Sequence, residues 1–536
     1  MMVYNIFKYN SGGVNMAEFE IKFLENECFW GGSTLEGCSN PFTAKSVNKY
    51  DYTRWCDNQV MPLFLSNKGR YIWSDHPFAV DFKGDGVIRI TGEDVTVTEA
   101  GSTLREAYID AMKNHFPFDG KRLPEKFFTT AQYNSWMEFT YNPTQDGILD
   151  YAHNIVKHGF EPGVLIIDEG WHGRYGDWDF DRAKFPDPKA MMDELHALGF
   201  TVMLWVVPIV CPDGRTFVGK TLRALNAEGT ADDIFLRNAE GEVAIIKWWN
   251  GLSAVLDMRK ECDRDFLDSQ LRYLMDEYGV DGFKFDGGNV NMYHPKNMIN
   301  GTPRADHDPH AINIAWNDFG RKYDYHEYKD TYKGGGKNCI QRLCDRHHKW
   351  FENGINTLIP CSIMQGLMGT PFICPDMIGG GEWLLFNRIG GVEFSEELFV
   401  RMAQASALCP MMQFSLAPWR LLSPENFEIV KNAAKIHKKF ADTILSLVRE
   451  SEVSGEPVLR NLEYNYPNRG YECIVDQFML GEDILVCPVV TPETYEKDIV
   501  LPDGVWVDED GTEYTGGKTV RVATPLEKLK YFIKKK

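Results

Sequence analysis

Positive charge is scarce in this sequence relative to negative charge. The 536 residues include 57 Lys and Arg against 77 Asp and Glu, a formal net charge of −20. This surplus argues against nucleic acid or an anionic membrane as a partner. No window of about 18 residues is apolar enough to span a bilayer, and the opening residues lack the apolar run of a secretion signal. We therefore expect a soluble, cytoplasmic protein with an uncharged ligand; if translation starts at Met16, residues 1–15 would be an unstructured leader.

Motifs for metals and cofactors are also missing. The 12 cysteines are spread along the chain without a CxxC pair, a pattern typical of reduced, mostly buried thiols rather than of a zinc site. The histidines form no HxH pattern at a strand end beside carboxylates, which disfavours a metal-dependent hydrolase. The cysteine and histidine patterns therefore disfavour a metal site.

The sequence does contain two strand-rich terminal regions, and between them a long region in which predicted strands alternate with predicted helices. Residues 1–122 and 450–536 show short runs in which aromatic and β-branched residues alternate with polar ones, which predicts a β-sandwich at each end. Between them, residues 123–449 alternate apolar strands such as GVLIID with amphipathic helices such as DPKAMMDELHALG, which favours an α/β fold with a (β/α)8 TIM barrel. A doubly wound sheet is the alternative, but the sequence has no GxGxxG motif after the first strand of this region. The spacing around 211–260 is too long for a simple crossover and predicts an insertion beside the pocket.

Carboxylates stand at the last position of several predicted barrel strands. The active site of such a barrel lies at the C-terminal ends of its strands, so these residues are catalytic candidates. They are Asp168 after GVLII, Asp286 after DGFKF, Asp345 after CIQRLC and Asp376 after TPFICP.

Lys284 and Asp286 share one face of their strand, because side chains alternate along a strand. Phe283 and Phe285 take the other face and should pack on helices, so the lysine and the aspartate point into the barrel. A nearby cation keeps a carboxylate ionised, as a nucleophile requires. The alternative is a structural ion pair. Asp281, at the opposite end of the strand, is expected to serve stability.

A second carboxyl group is needed for acid-base chemistry on a sugar. Asp345 is the first candidate, with Arg342 on the same strand, although it could instead cap a helix over HHKWFENGI. Asp376 is the rival acid, or else a rigid loop presents it to a substrate hydroxyl.

Tryptophans accompany these carboxylates along the sequence. Flat apolar rings beside hydrogen-bonding groups suit a sugar, whose ring has an apolar face and an edge of hydroxyls. Each tryptophan alone could equally belong to the core. The candidates for the pocket rim are Trp136, Trp171, Trp205, Trp248, Trp249, Trp383 and Trp419.

A set of segments in order along most of the chain resembles glycoside hydrolase family 31. The segments include LIIDEGW, KWWNGLS, DGFKFDGG, QRLCDRHHKW, PFICPDMIGGG and DQFMLGEDILVCPVV. Within the family they are similar to the α-galactosidase branch that includes the myogenesis-regulating glycosidase. The resemblance implies a β-sandwich, a catalytic (β/α)8 barrel and a second β-sandwich. It also implies retaining hydrolysis of an α-glycosidic bond without metal or cofactor.

The resemblance also implies a role for each site residue. Asp286 takes the place of the nucleophile and Asp345 that of the general acid/base. Lys284 would contact sugar hydroxyls and Arg342 would lie beside the acid. The remaining residues would line the pocket for the non-reducing sugar: Asp168, Trp171, Trp249 and Asp376 by resemblance, with Trp136 and Trp205 added as rim aromatics.

These inferences predict an exo-acting α-glycosidase, with galactose as the first candidate sugar and an oligosaccharide or glycoside as substrate. An α-glucosidase or α-xylosidase on the same scaffold, a lyase with the same nucleophile, and a carbohydrate-binding pseudo-enzyme are the alternatives.

The segment 293–336 matches the family only loosely, around Glu327, Lys329 and Tyr332. The animal relatives carry a membrane anchor that this sequence lacks, so a bacterial-type enzyme is expected; a homo-oligomer is possible.

Overall fold

The computed structural model describes residues 6–11, 14–226, 234–382 and 393–536. The first part of the chain forms two antiparallel sheets, with strand orders β1-β2-β9-β8-β5 and β10-β7-β6-β3-β4. Their strands are β1 Ile6–Ser11, β2 Val14–Lys22, β3 Cys28–Ser33, β4 Phe42–Thr43, β5 Val47–Asp51, β6 Gln59–Ser66, β7 Arg70–Trp73, β8 Phe78–Lys83, β9 Val87–Glu93 and β10 Thr96–Glu99. Because β1 and the start of β2 are strand, the expectation of an unstructured leader is wrong for 6–11 and 14–15.

The two sheets pack face to face as the alternation predicted. Phe19, Ile21, Phe64 and Ile72 are buried together between them. The opposite face of the second sheet is also buried, with Met61 and its neighbours joined to the core of the barrel. The second sheet is therefore covered on both sides, which explains why every residue of β6 is buried.

The central part of the chain holds parallel strands joined mostly by helices, together with a three-stranded antiparallel sheet in the segment between the third and fourth barrel strands. The strands are β11 Gln132–Asn134, β12 Val164–Ile167, β13 Thr201–Val206, β14 Ile209–Val210, β15 Ile245–Trp248, β16 Gly251–Val255, β17 Gly282–Phe285, β18 Tyr325–Tyr328, β19 Thr331–Tyr332, β20 Ile340–Arg342, β21 Ile373–Cys374, β22 Met377–Ile378 and β23 Gln413–Phe414. The helices are α1 Leu104–His115, α2 Lys126–Thr129, α3 Trp136–Phe139, α4 Gln145–Lys157, α5 Pro188–Ala197, α6 Arg215–Asn226, α7 Glu261–Tyr278, α8 Pro309–Gly320, α9 Leu358–Leu367, α10 Glu396–Ser406, α11 Pro418–Leu421, α12 Pro424–Lys439 and α13 Ala441–Ser454.

The parallel strands close into a ring of eight. The order runs β11, β12, β13, β17, β18, β20, and β21 pairs with β20. The strand that begins as β21 is interrupted at Pro375 and Asp376 and continues as β22. β22 then pairs with β23, and β23 pairs with β11. β21 and β22 are thus two halves of the seventh strand, and the predicted (β/α)8 barrel is confirmed.

Local sequence signals account for the helix that follows the second barrel strand. The Asp187 side chain accepts a hydrogen bond from the Ala190 amide at the start of α5, and Pro188 occupies the first turn. The chain leaves the helix at Gly199, whose φ of +97° favours glycine.

One barrel strand is not followed by a helix. Residues 329–339, between β18 and β20, hold only the two-residue strand β19, which pairs in parallel with the start of β6 in the first sandwich. The N-terminal sandwich therefore occupies this side of the barrel.

The last part of the chain forms a second β-rich layer. It contains α14 Leu462–Asn465 and the strands β24 Leu459–Arg460, β25 Phe478–Leu480, β26 Ile484–Val486, β27 Glu496–Leu501, β28 Val505–Asp508, β29 Glu513–Thr515, β30 Lys518–Ala523 and β31 Tyr531–Lys534. Six strands form one sheet, and β27 pairs with β30 across a core centred on Trp506. Across the described parts of the chain, each helix is too short or too polar to cross a membrane.

Candidate active site

A cavity of about 560 Å³ opens at the C-terminal ends of the barrel strands. Its size is in the range of small-ligand sites, and its wall mixes aromatic rings with charged groups. It is lined by Trp136, Thr140, Tyr141, Asn142, Asp168, Glu169, Trp205, Trp249, Asn250, Lys284, Asp286, Lys329, Arg342, Asp345, Gly381 and Glu382.

Asp286 follows β17 directly, and both oxygens of its carboxylate are held. The Trp205 indole donates to Oδ2 at 2.9 Å, and the Gly287 amide donates to Oδ1 at 2.8 Å. Burial alone would raise the pKa of Asp286, but the positive charges of Lys329, Lys284 and Arg342 outweigh it and hold the pKa below its ordinary value. Asp286 is therefore an oriented, ionised carboxylate.

Gly287 makes room for this arrangement. Its φ is +59°, and a Cβ atom there would lie 3.1 Å from Cη2 of Trp249. A side chain would therefore be strained and would push against the aromatic wall of the cavity.

Lys284 points into the barrel, as the alternation predicted, while the phenylalanines point outward. The Phe285 ring lies 5.3 Å from that of Trp316 in α8. The closest anionic partner of Lys284 is Asp168, whose Oδ2 lies 2.6 Å from Nζ, with both side chains buried. Lys284 is thus an ion-pair partner of Asp168, and its effect on the pKa of Asp286 is smaller than that of Lys329.

Asp345 lies beyond the end of β20 and contacts two cations. Lys329 Nζ lies 2.8 Å from Oδ2, and the Arg342 guanidinium donates to Oδ1 at 2.8 Å. Burial would raise the pKa of Asp345, but Lys329 and Arg342 reverse this and hold it well below its ordinary value. The alternative role as a helix cap is wrong, because residues 343–354 form an irregular loop.

Asp376 does not line the cavity, in contrast to the expectation that it contacts the sugar. Its side chain is fully buried and accepts hydrogen bonds from the Arg342 guanidinium and from the Arg346 amide, the latter at 2.7 Å. Its position in the break of the seventh strand aims the carboxylate at Arg342 rather than at the opening. Asp376 therefore fixes the arginine that contacts Asp345.

The tryptophans divide between the cavity and the core. Trp136, Trp205 and Trp249 line the cavity, and half of the Trp249 surface is exposed. Trp171 does not line it as expected: it is fully buried, and its indole donates to the Trp205 carbonyl at 2.9 Å. Trp419 stacks on His158 outside the barrel mouth. Of the other rim candidates, Trp248 is buried in the insertion core, and Trp383 lies outside the described residues.

Asp281 lies at the opposite end of β17, away from the cavity. Its Oδ2 accepts a hydrogen bond from the Val202 amide at 2.7 Å and lies 2.9 Å from His196 Nε2. These contacts join the strand to its neighbour and to α5, as expected of a residue that serves stability.

Comparison with known proteins assigns the family. Residues 122–447 match the Glycosyl hydrolases family 31 TIM-barrel domain, and residues 455–536 match the Glycosyl hydrolase family 31 C-terminal domain. The chain belongs to glycoside hydrolase family 31. Its fold and the predicted family are thereby confirmed.

Several glycosidases are similar to this chain in sequence. It is 30% identical over 440 residues to the myogenesis-regulating glycosidase of Mus musculus. That match covers 81% of this chain and 60% of the glycosidase. It is 24% identical over 419 residues to alpha-glucosidase 2 of Bacillus thermoamyloliquefaciens, covering 73% and 50%. It is 23% identical over 439 residues to the alpha-xylosidase of Saccharolobus solfataricus, a match that covers 75% of this chain and 54% of the alpha-xylosidase. The chain thus spans between 50% and 60% of the length of these relatives.

Two solved structures of carbohydrate-active enzymes share the fold. A GH31 dextranase from Flavobacterium johnsoniae superimposes with a TM-score of 0.80 at 20% identity, covering 98% of this chain and 67% of that one. A cycloalternan-degrading enzyme from Trueperella pyogenes gives a TM-score of 0.81 at 17% identity, covering 99% and 83%. At these identities the similarity concerns the architecture alone.

Three charged residues of this cavity, Lys329, Glu169 and Glu382, escaped prediction as site residues. Lys329 follows β18, whose sequence YHEY is too short and polar to be read as a barrel strand. Glu169 directly follows Asp168; its Oε1 accepts hydrogen bonds from Tyr175 and from Asn250, each at 2.6 Å. Burial raises the pKa of Glu169 to about 8, so this carboxyl is protonated at neutral pH. The rule that selects strand-end residues would have found Lys329 and Glu169 once the strand ends were known.

Among the described residues, two clusters of carboxylate and imidazole groups are close enough together to hold a metal ion. They are His76 with Glu93 and Asp94 in the first sandwich, and Asp508 with Glu509 and Asp510 in the last domain. Both lie away from the cavity.

Proposed function

We propose that the chain is a retaining, exo-acting α-glycoside hydrolase, with Asp286 as nucleophile and Asp345 as general acid/base. The observation that carries the proposal is the placement of these two carboxylates in one cavity, around the single ammonium group of Lys329. The division into an oriented, ionised carboxylate and a second carboxyl group is the one that double displacement at a sugar requires.

In the first step, the ionised Asp286 attacks the anomeric carbon and forms a glycosyl ester. The bond to the leaving oxygen breaks, and the proton of Asp345 passes to that oxygen. In the second step, Asp345 as carboxylate takes a proton from water, whose oxygen displaces the ester. Each step inverts the anomeric carbon, so the configuration is retained overall.

Proton donation requires Asp345 to be protonated, whereas Lys329 and Arg342 keep it ionised in the unliganded site. We infer that the incoming sugar displaces the Lys329 ammonium from Asp345, since both groups face the same cavity. Loss of that contact raises the pKa of Asp345. Once the ester has formed, the negative charge on Asp286 is gone, so Asp345 gives up its proton more readily and can act as base.

The rest of the cavity supports a neutral sugar as the ligand. Trp136, Trp205 and Trp249 offer aromatic faces, while Asp168 paired with Lys284 offers fixed acceptors and donors for hydroxyls. Glu169, protonated at neutral pH, adds a group that can both donate and accept. This wall has no cation free of a carboxylate among its described residues, which disfavours an anionic sugar.

Galactose is our first candidate for the released sugar, because of the similarity to the branch of the myogenesis-regulating glycosidase. Glucose and xylose are the second candidates, in line with the alpha-glucosidase and alpha-xylosidase among the relatives. The alternative to a hydrolase is a non-catalytic binding protein. It is favoured by the similarity to a relative named SITS-binding protein from Tetronarce californica, 29% identical over 201 residues.

A panel of nitrophenyl α-glycosides tests the proposal. We expect turnover of the α-galactoside above that of the α-glucoside, α-xyloside and α-N-acetylgalactosaminide. Substitution Asp286→Ala is expected to abolish turnover, and added azide to restore part of it as a β-glycosyl azide. A wild-type protein that binds but does not cleave any member of the panel would support the binding protein instead.

A further inference from the structure

Gln59, a buried side chain at the start of β6, connects the first sandwich to the active site. Its amide Nε2 donates to the main-chain carbonyl of Lys329, and also to that of Arg342 at 2.8 Å. These are the two residues whose cationic groups contact Asp345. Gln59 is 1% exposed, so no water competes for these carbonyls from its side.

The orientation of the Gln59 amide is fixed by its surroundings. The two carbonyl oxygens of the barrel can only accept, so the NH2 group faces them. The amide oxygen lies 2.9 Å from the buried hydroxyl of Thr34. The main chain of Gln59 is opposite Thr331 of β19 in the register of the parallel pair. Both the backbone and the side chain of Gln59 are therefore held before any substrate enters.

Asn58 reinforces the same contact. Its Nδ2 donates to the Lys329 carbonyl at 2.8 Å, and its Oδ1 accepts from the amide of Cys344 at 3.2 Å. Cys344 immediately precedes Asp345. Together, Asn58 and Gln59 contact the main chain at Lys329, Arg342 and Cys344.

These contacts satisfy carbonyl groups at the ends of β18 and β20, where a buried carbonyl without a partner would be costly. The absence of a helix after β18 leaves room for the sandwich to approach them. The N-terminal sandwich supplies the donors. It therefore fixes the backbone from which the Lys329 and Arg342 side chains extend to Asp345.

We infer that Gln59 is a positioning residue for the acid/base of the reaction, acting from the N-terminal sandwich through Lys329 and Arg342. The inference rests on the proposed function, because it assigns Gln59 to the step in which Asp345 transfers a proton. Gln59 lies behind both cations that contact Asp345, whereas the Asp286 carboxylate is oriented by Trp205 and Gly287, which Gln59 does not contact. Because Lys329 also lowers the pKa of Asp286, a shift of this cation changes the ionisation of Asp286 but not the hydrogen bonds that orient it.

The test is Gln59→Leu, which keeps the approximate size of the side chain and removes its donor. The matched control is Gln477→Leu in the last domain, where a buried glutamine likewise donates to a carbonyl, that of Val500, at 3.0 Å. For each variant, kcat/KM is measured with a nitrophenyl glycoside and with an alkyl glycoside of the same sugar, across pH. Thermal unfolding of both variants is recorded alongside.

With Gln59→Leu we expect kcat/KM on the alkyl glycoside to fall about 10²-fold, the scale of a small misplacement in an active site. The nitrophenyl glycoside, whose leaving group needs little protonation, is expected to lose much less, and the pH profile is expected to shift. Gln477→Leu should lose stability without either change. Equal loss on both substrates with an unshifted pH profile would reduce Gln59 to a structural role and overturn the inference.

Thr34→Val covers the case in which Gln59→Leu does not fold, because it keeps both amide side chains and removes the hydroxyl that contacts the amide oxygens of Gln59 and Asn58 and the main-chain amide of Gln59. Thr34→Val is expected to lower kcat/KM more on the alkyl glycoside than on the nitrophenyl glycoside, as Gln59→Leu does but by a smaller factor. Equal effects on the two substrates in a folded Thr34→Val protein would overturn the inference. A wild type without any glycosidase turnover overturns the proposed function and the role of Gln59 with it. Wild-type turnover without the split in the variants overturns the role of Gln59 alone.

Discussion

The ammonium group of Lys329 lies 2.8 Å from a carboxylate oxygen of Asp345, and the same charge is the strongest influence that lowers the pKa of Asp286. One cation therefore controls the ionisation of both carboxylates. It ties the end of β18 to the ends of β17 and β20, although no two of these residues are neighbours in the sequence.

Replacement of Lys329 by methionine is expected to move the pH profile of kcat/KM to higher pH. Loss of the cation raises the pKa of Asp286, so the nucleophile becomes ionised only at higher pH. It also raises the pKa of Asp345, so the acid keeps its proton to higher pH. Both limbs should move upward by about one pH unit or more, the usual effect of an opposite charge. Lys329→Arg keeps the charge and should leave the limbs nearly in place; an unmoved profile in Lys329→Met would contradict this control of ionisation.

Asp345→Ala is expected to distinguish substrates by their leaving groups. Turnover of alkyl glycosides should fall by about 10²–10⁴-fold, the usual contribution of general acid-base catalysis, while nitrophenyl glycosides are affected less in the first step. Steady-state rates on both kinds of substrate, with and without azide, measure this. Equal losses on all substrates would move the acid role to another carboxyl group of the cavity, with Glu169 as the first to test because it is protonated at neutral pH.

Substrate affinity is expected to weaken as the pH rises through about 8, because Glu169 ionises there and loses the proton that it can donate to a sugar hydroxyl. Its pKa is raised in the folded protein, so the contribution of the protonated form to stability is present at low pH and is lost as the pH rises through that value. Glu169→Gln imitates the protonated carboxyl and should remove the pH dependence of KM between 7 and 9. A wild-type KM that is constant over this range would refute the assignment.

Asp281→Ala is expected to lower stability without lowering turnover. The substitution removes the acceptor for the Val202 amide and the contact with His196, at the end of the barrel away from the cavity. A loss of about 1–3 kcal/mol in the free energy of unfolding is the usual cost of a broken partly buried hydrogen bond. Chemical denaturation and kcat measured on the same samples provide the check, with Asp286→Ala as the opposite case: activity lost and stability largely kept.

Sequence patterns predicted the architecture and part of the site for a clear physical reason. Alternation along β17 fixes which side Lys284 and the phenylalanines face, and strand ends mark Asp168, Asp286 and Asp345, so these positions follow from local rules. The partners of those residues do not. The pairing of Lys284 with Asp168, and of Asp376 with Arg342, depends on which strands are neighbours in the ring and on how a strand breaks.

Lys329 and Trp171 show two further limits of the sequence. Lys329 follows a strand of four residues, YHEY, whose polar inward side chain gives no apolar signal. Trp171 stands beside a strand-end aspartate just as a ligand-binding tryptophan would, yet its indole is turned toward the Trp205 carbonyl in the core. Burial of a large ring is decided by packing in three dimensions, which the sequence around Trp171 does not reveal.

The short β19 also bears on how this protein can be divided. In a complete ring of helices the barrel would be a separable module, and residues 122–536 would be the natural fragment to express. Here the outer surface beside β18 is covered by another domain, and one apolar core runs without a break from Met61 through the barrel to Phe478. A fragment that begins at the barrel would expose a large apolar surface and a strand edge to water, so the folding unit of this protein is larger than its barrel domain.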